Sequence, residues 1–353
     1  MGETYTITIE PLGREVRCDS DQTILDACLR AGVWLPHSCT HGTCATCKCD
    51  VLEGEVDQGA ATSFALMDFE RDEGKTLTCC AKPQSNVTIE ADLEVADELE
   101  VHPVEDFVGT IVSLTDIAAN TKRLVVKLDR PMRFNAGQYA RFQIPGHEGV
   151  DRTWSIASVP TENEALEFQI SNVDGGVGTA GWLFSSAQVG DQVNLSGPYG
   201  QFVLRTWEDK PLVMLAAGTG LAPLASMVKH ALQNEQYEGH ITLYAGARTP
   251  DELYDIEEFR ELAEEFSEQF TFHPCVSGAE VEGYRHGRVN DVMSADFDRL
   301  GGYQAYICGS PGMVESTLKS LMAKRLFPRD IFHEDFFNEG DKVKAVGSPL
   351  IKR

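Results

Sequence analysis

The sequence has no apolar run approaching the ~20 residues that span a bilayer. Its opening, MGETYTITIE, has no basic segment followed by an apolar core. These absences argue against a helical membrane span and a secretory leader, so the expected location is the cytoplasm. Positive charge is scarce: 30 Lys and Arg stand against 55 Asp and Glu, a net charge of −25. A polyanion of this kind repels nucleic acid phosphates and acidic membranes, so neither is an expected partner. Internal repeats and low-complexity segments are also lacking. What is present is a globular composition, 42% hydrophobic and 24% charged, over 353 residues. That length accommodates two or three domains.

The acidity is concentrated early. Residues 1–100 carry 20 Asp and Glu against 7 Lys and Arg. This is either a solvated acidic surface or a docking face for a basic patch, since complementary charge raises association rates.

Three blocks differ in texture. Residues 1–97 open with the alternating TYTITIE, a strand, and REVRC, its hairpin partner after Pro11, Leu12 and Gly13. Asp21 to Leu29 reads as a capped amphipathic helix ending near Gly32. NVTIEADL gives a later strand. The acidic, proline-containing stretch around residues 98–105 reads as a linker. From 106 to 206, short β-rich runs separated by turn residues predict a small barrel or sandwich. From 207 to 353, apolar strands (PLVMLAAGTG, HITLYAGA, FTFHPCV, YQAYICG) alternate with helical segments. That is the βαβ pattern of an open parallel sheet.

The cysteines carry the first chemistry. Cys39, Cys44 and Cys47 have the spacing C-x₄-C-x₂-C, that of plant-type [2Fe–2S] sites, which need a distant fourth cysteine. Cys79 and Cys80 are the candidates. Disulfides are disfavoured in a reducing compartment. Zinc prefers paired C-x₂₋₄-C knuckles, which one triplet and one adjacent pair fit poorly. A Rieske centre needs two histidines, and only His41 is suitably placed. Cys18, Cys28 and Cys49 are surplus and read as small buried or surface thiols.

The second block contains DRTWSIAS (151–158). Arg152 offers a charged fork to a phosphate. Trp154, on the same face of a strand, offers an aromatic surface, and Ser155 a hydroxyl. DGGVGTAGWL (174–183) is a Gly-rich turn opening a helix, a geometry that exposes N–H groups to phosphate or simply starts a helix. In the third block, Gly218-Thr219-Gly220 lies between a strand and a helix and permits close backbone approach. YAGART places Arg248 at a strand end, with Asp251 and Glu252 nearby; a site for an extra 2′-phosphate would carry more positive charge, which favours NADH over NADPH.

With these motifs in place, the chain resembles a known family along nearly its whole length. The first block is similar to plant-type ferredoxins, and the rest to the ferredoxin–NADP reductase superfamily. The order, and stretches such as EGEVD, HPVED and ELY, resemble the phenol hydroxylase reductases. These are reductase components of bacterial soluble diiron monooxygenases, relatives of the methane, propane and cyclic-ether enzymes. The resemblance implies a β-grasp ferredoxin domain, an antiparallel β-barrel binding FAD, and an α/β parallel-sheet domain binding NADH. It implies cluster ligands Cys39, Cys44, Cys47 and Cys79, the last chosen over Cys80 from its Leu77-Thr78-Cys79 context. It places Arg152 on the FAD pyrophosphate, with Thr153 and Trp154 along the flavin and Ser155 near its N5. Trp154 stands where the family has Tyr. Gly176, Val177, Gly178 and Thr179 would cradle the pyrophosphate. Gly218, Thr219, Gly220 and Arg248 would hold the dinucleotide. The C-G-x-x-x-M motif would set Cys308 beside the rings, and Glu334 and Phe336, in HEDFF, would close the site unless they are an ordinary strand end. Ser155, Cys308 and Glu334 would be catalytic. The expected partner is an oxygenase component and the expected state a monomer, the alternative being service to a Rieske dioxygenase.

Overall fold

The computed structural model describes residues 2–38, 40–93, 98–233 and 237–336. Two compact units divide at Glu105 and Asp106.

In the first unit, β1 (Thr4–Glu10) and β2 (Arg14–Asp19) form the expected hairpin, and α1 (Ile24–Arg30) follows. The helix begins later than the sequence pattern suggests. Thr23, in an extended conformation, is its cap and accepts from the Asp26 N–H at 3.3 Å, which leaves Asp21 outside. Then come β3 (Lys48–Glu53), β4 (Val56–Asp57), α2 (Asp68–Asp72), β5 (Lys75–Leu77), β6 (Lys82–Pro83) and β7 (Val87–Glu90). The main sheet runs β2-β1-β7-β3-β5, with β1 and β7 parallel and α1 packed beside β2. This is a helix crossing a mixed sheet, the β-grasp arrangement. Ile7, Ile9, Ile24, Leu77 and Ile89 are fully buried. The segment read as a linker is partly tied down: the Val104 N–H bonds the Leu29 carbonyl at 3.1 Å, and Val104 is buried.

The second unit contains two lobes. The barrel lobe has β8 (Glu105–Ala118), β9 (Thr121–Leu128), β10 (Tyr139–Gln143), β11 (Asp151–Ser155), β12 (Ala165–Ser171) and β13 (Gln192–Tyr199). Their order is β11-β10-β13-β8-β9-β12. An antiparallel bridge from Ile156 to Phe168 joins the two outer strands and closes the sheet on itself. Ile111, Leu124, Phe142, Ile156 and Phe168 fill the interior, each contributing about 1.5–3 kcal/mol by leaving water.

The second lobe has β14 (Leu212–Ala217), α3 (Leu221–Gln233), β15 (Ile241–Ala247), α4 (Ile256–Glu265), β16 (Phe270–Val276), β17 (Arg285–His286), α5 (Val289–Asp296), β18 (Gln304–Gly309), α6 (Pro311–Ala323) and β19 (Ile331–Asp335). The parallel sheet has the order β17-β16-β15-β14-β18-β19. The order reverses beside β14, the switch point at which open α/β sheets bind ligands beyond their carboxyl ends.

Candidate functional site: a cluster loop and a two-lobed nucleotide site

The cluster loop is tightly wrapped. Thr40, Gly42 and Ala45 all have left-handed backbones, with φ of 58°, 80° and 60°. Gly42 has no alternative: a Cβ there would lie 2.6 Å from the Cys80 sulfur and 3.2 Å from the Ala61 backbone. Cys47 and Cys79 are buried, and their thiols lie within hydrogen-bond reach of each other. Cys44 is half-buried, and the Cys79 and Cys80 sulfurs are 3.7 Å apart. The thiols of Cys47 and Cys80, together with burial, push the Cys79 thiol up. Cys39 lies outside the described residues, and among the described residues no three His, Cys, Asp or Glu side chains gather at metal-binding spacing. The donor chemistry fits a thiolate-bound cluster, with Cys47 and Cys79 already facing one another. Cys18 and Cys28, surplus in the sequence, are fully buried, and burial pushes both thiols up to about 12. They are packing residues.

In the barrel lobe the structure brings together two segments that are far apart in sequence. Arg152 lies on β11, and Gly178 ends the glycine turn. A Cβ on Gly178 would sit 2.7 Å from the Arg152 side chain and 3.1 Å from Ile144. Glycine therefore lets the guanidinium stem pass against the turn. The turn leads into the expected helix, which is a five-residue π-helix, Thr179–Leu183. The Thr179 hydroxyl is used locally: it accepts from the Val173 N–H at 3.1 Å and donates to the Val173 carbonyl at 3.2 Å. Thr179 can therefore offer a phosphate its backbone rather than its side chain. Arg152 and Trp154 share a face, as strand alternation requires, and Ser155 is buried at the end of β11. Thr153 faces the other way and is exposed. Trp154 stacks on Trp182 at 6.2 Å and 14°, and tilts against Phe142 at 4.8 Å. One of its faces is thus already occupied by a second indole. A hollow of about 720 Å³ lies elsewhere on this lobe, lined by residues 143–149 with Asp151, Gln192 and Asn194, and no predicted site residue borders it.

In the sheet lobe the predicted residues gather at the carboxyl edge. Register places Ala216 beside Cys308, and Cys308 beside Glu334. Gly218 follows β14 with φ 56°, and a Cβ there would meet nothing within 4 Å among the described residues. Gly220 is different. A Cβ there would lie 2.1 Å from the Cys308 carbonyl oxygen, so this glycine packs the loop onto the end of β18. Cys308 is fully buried, and burial, then Glu334 and Asp335, push its thiol well up. Burial, and next Asp335, raise the Glu334 carboxyl to about 8, and its Oε2 has no hydrogen-bond partner among the described residues. Phe336 is half-buried against the core, its N–H on the Gly309 carbonyl at 2.8 Å. Arg248 stands apart at the end of β15, exposed, its own N–H held by the Glu252 carboxylate at 2.9 Å. The lobes are joined by polar links that sequence reasoning missed. The Ser226 hydroxyl donates to the Ser158 carbonyl at 2.7 Å, and Arg123 of the barrel pairs with Asp255.

Comparison with known proteins assigns the three regions. Residues 7–84 match a 2Fe-2S iron–sulfur cluster binding domain, 109–204 an oxidoreductase FAD-binding domain, and 214–319 an oxidoreductase NAD-binding domain. The chain is 45% identical to the reductase component of phenol 2-monooxygenase from a Pseudomonas species, over 99% of both chains. It belongs to this family of flavin iron–sulfur reductases. The family extends to other systems: the chain is 34% identical to the ferredoxin–NAD(P)(+) reductase component of a Pseudomonas putida naphthalene 1,2-dioxygenase system, over 95% of this chain and 99% of that one. The crystal structure of an Amycolatopsis cytochrome P450 reductase superposes with a TM-score of 0.88 at 38% identity, covering 94% of this chain and 99% of that one. As a member, the chain is an oxidoreductase that binds FAD, a nicotinamide nucleotide and a [2Fe–2S] cluster. No described helix is long and apolar enough to cross a membrane.

Proposed function

We propose that this chain is the NADH-dependent reductase component of a multicomponent soluble diiron monooxygenase. The observation that carries the reading is the full-length match, at 45% identity, to the reductase component of a phenol 2-monooxygenase. The cofactors supply the electron chemistry: flavin takes a hydride's two electrons at once and the cluster passes them on singly.

The chain's own residues bind, orient and shield. Arg152 and the backbone of Gly176, Val177, Gly178 and Thr179 hold the FAD pyrophosphate. Trp154 and Ser155 line the flavin, Thr153 contributes only backbone between them, and Phe336 covers it. Gly218 leaves room for the NADH pyrophosphate at the start of α3, Thr219 and Gly220 offer it their N–H groups, and Gly220 packs the loop onto β18. Glu252, beside Arg248, disfavours a 2′-phosphate there, which supports NADH over NADPH. Cys308 and Glu334 both keep their protons at neutral pH. They therefore place no negative charge where an electron-rich dihydronicotinamide meets the flavin. Cys39, Cys44, Cys47 and Cys79 hold the cluster.

The oxygenase would dock on the cluster-bearing unit. Phe64, Met67 and Phe69 are exposed among the acidic Asp68, Asp72 and Glu73. Their segment is hydrogen-bonded to the cluster loop, with Thr62 on the Gly42 carbonyl at 2.8 Å. Glu53, Glu55 and Asp57 add exposed charge. A partner with a basic-rimmed apolar depression fits this face.

Reconstitution tests the reading: NADH, this chain and a purified diiron oxygenase should hydroxylate an aromatic or alkane substrate with NADH consumed in step. A second reading, service to a dioxygenase, is favoured by the 34% identity to a naphthalene dioxygenase reductase component. Turnover with a Rieske oxygenase and none with the diiron enzyme would replace the first reading by the second.

A further inference from the structure

Asp255 breaks two local habits at once. It stands at the cap position of α4, where an aspartate ordinarily accepts from the first helical N–H groups. Its side chain makes no such bond. Its backbone is left-handed at φ 57°, a conformation unfavourable for a residue with a Cβ and kept only where neighbours over-determine it. Those neighbours belong to the barrel. The Asp255 carboxylate, almost fully buried, pairs with Arg123 of β9 and accepts from Gln169 Nε2 of β12 at 2.7 Å. Arg123 and Gln169 are themselves joined through Glu167, at 3.0 Å from each.

The next link is Tyr254. It is buried, and its hydroxyl donates to the Gly218 carbonyl at 3.2 Å. Burial raises that hydroxyl well above its usual range, so it remains a donor at every working pH. The same carbonyl accepts the Leu221 N–H within its own turn. Because the peptide unit is planar, holding the Gly218 carbonyl on one side holds the Thr219 N–H on the other. Gly218 has open space around its Cα and no side chain to resist a peptide flip. The contact from Tyr254 supplies that resistance.

We propose that Tyr254 and Asp255 are positioning residues for hydride transfer: they fix the dinucleotide loop to the flavin barrel through the Gly218 carbonyl. The proposal rests on reading residues 218–220 as the dinucleotide loop.

The test uses the cofactor-loaded full chain. Asp255→Gly tolerates φ 57° without strain and removes the link, while Arg123 keeps Glu167 as a partner; circular dichroism and flavin content check that the variant folds. Tyr254→Phe keeps the ring and removes the donor. Asp255→Asn keeps an acceptor for Arg123, and its Nδ2 can donate to Gln169 Oε1, which has no partner among the described residues, once that amide turns over; it serves as the conservative rescue. Asp255→Gly is expected to slow flavin bleaching by NADH about tenfold while the KM for NADH moves less than about threefold. Deuterium exchange at residues 218–221 of the nucleotide-free protein should rise about tenfold in the same variant. Tyr254→Phe should give about threefold of each effect, and Asp255→Asn should recover most of the rate. Unchanged exchange and bleaching would overturn the proposal. So would a raised KM at unchanged maximal rate, or a lowered melting temperature with neither rate nor loop exchange altered. The underlying reading has its own control: NADH should protect residues 218–220 of the parent protein from exchange, and failure there sinks the loop assignment itself.

Discussion

The cluster loop and the nucleotide site are built by opposite strategies. Three of the four proposed cluster ligands fall within nine consecutive residues, 39–47, and the loop between them folds on itself through three left-handed positions. The proposed nucleotide site is assembled from distant positions: the barrel sets Gly178 against Arg152, and the parallel sheet sets Gly220 and Glu334 against Cys308. Local spacing writes the first into the sequence as a motif. Sheet topology writes the second, so its motifs are visible one by one but their contacts are not. The two sites should therefore fail differently.

The largest contrast is expected from Cys47→Ser. It should abolish the iron–sulfur absorption and lower electron delivery to the oxygenase by more than about 100-fold, while NADH still bleaches the flavin. Cys79→Ser should behave alike and Cys80→Ser should keep the cluster; iron content and visible absorbance decide between them. Gly220→Ala should do the converse. Its methyl would collide with the Cys308 carbonyl at 2.1 Å, so flavin reduction by NADH should fall about 100-fold with the cluster spectrum intact. A rapid-mixing experiment separates the two steps.

A smaller effect concerns Glu334. Its carboxyl is raised from 4.5 to about 8, so the folded chain keeps a proton that the unfolded chain releases. Stability from this group is therefore present at low pH and is lost as pH rises from about 5 to 8. Glu334→Gln should flatten that part of the profile, shifting the melting temperature upward by a few degrees at pH 8 relative to the parent. Smallest is charge reversal at Glu53, Glu55 and Asp57. It should weaken transfer to the oxygenase several-fold and reduce its salt dependence, with ferricyanide reduction unchanged. Unaltered salt dependence would remove these carboxylates from the docking face.

The same contrast explains what could be read in advance. The strands of the sheet lobe were legible because each is a buried apolar run bounded by turn residues. Gly220 was legible as a point of close approach, although what approaches it is the chain's own Cys308 carbonyl rather than open space for a ligand. Thr179 was legible as part of a glycine turn, but the spending of its hydroxyl on Val173 was not. The lobe-to-lobe links were not legible. Arg123 and Asp255 are 132 residues apart, and an aspartate before a helix reads as a cap. Its left-handed backbone, the observation that exposes its other role, leaves no mark in the sequence.

The proposed relay runs from nicotinamide through flavin to an iron–sulfur cluster within one chain. Anaerobic titration of the purified protein with NADH, followed by absorbance, tests it most directly. A flavin band near ~450 nm should bleach together with the broader iron–sulfur absorption at longer wavelength. Bleaching of the flavin alone, in protein shown to contain iron and sulfide, would contradict it.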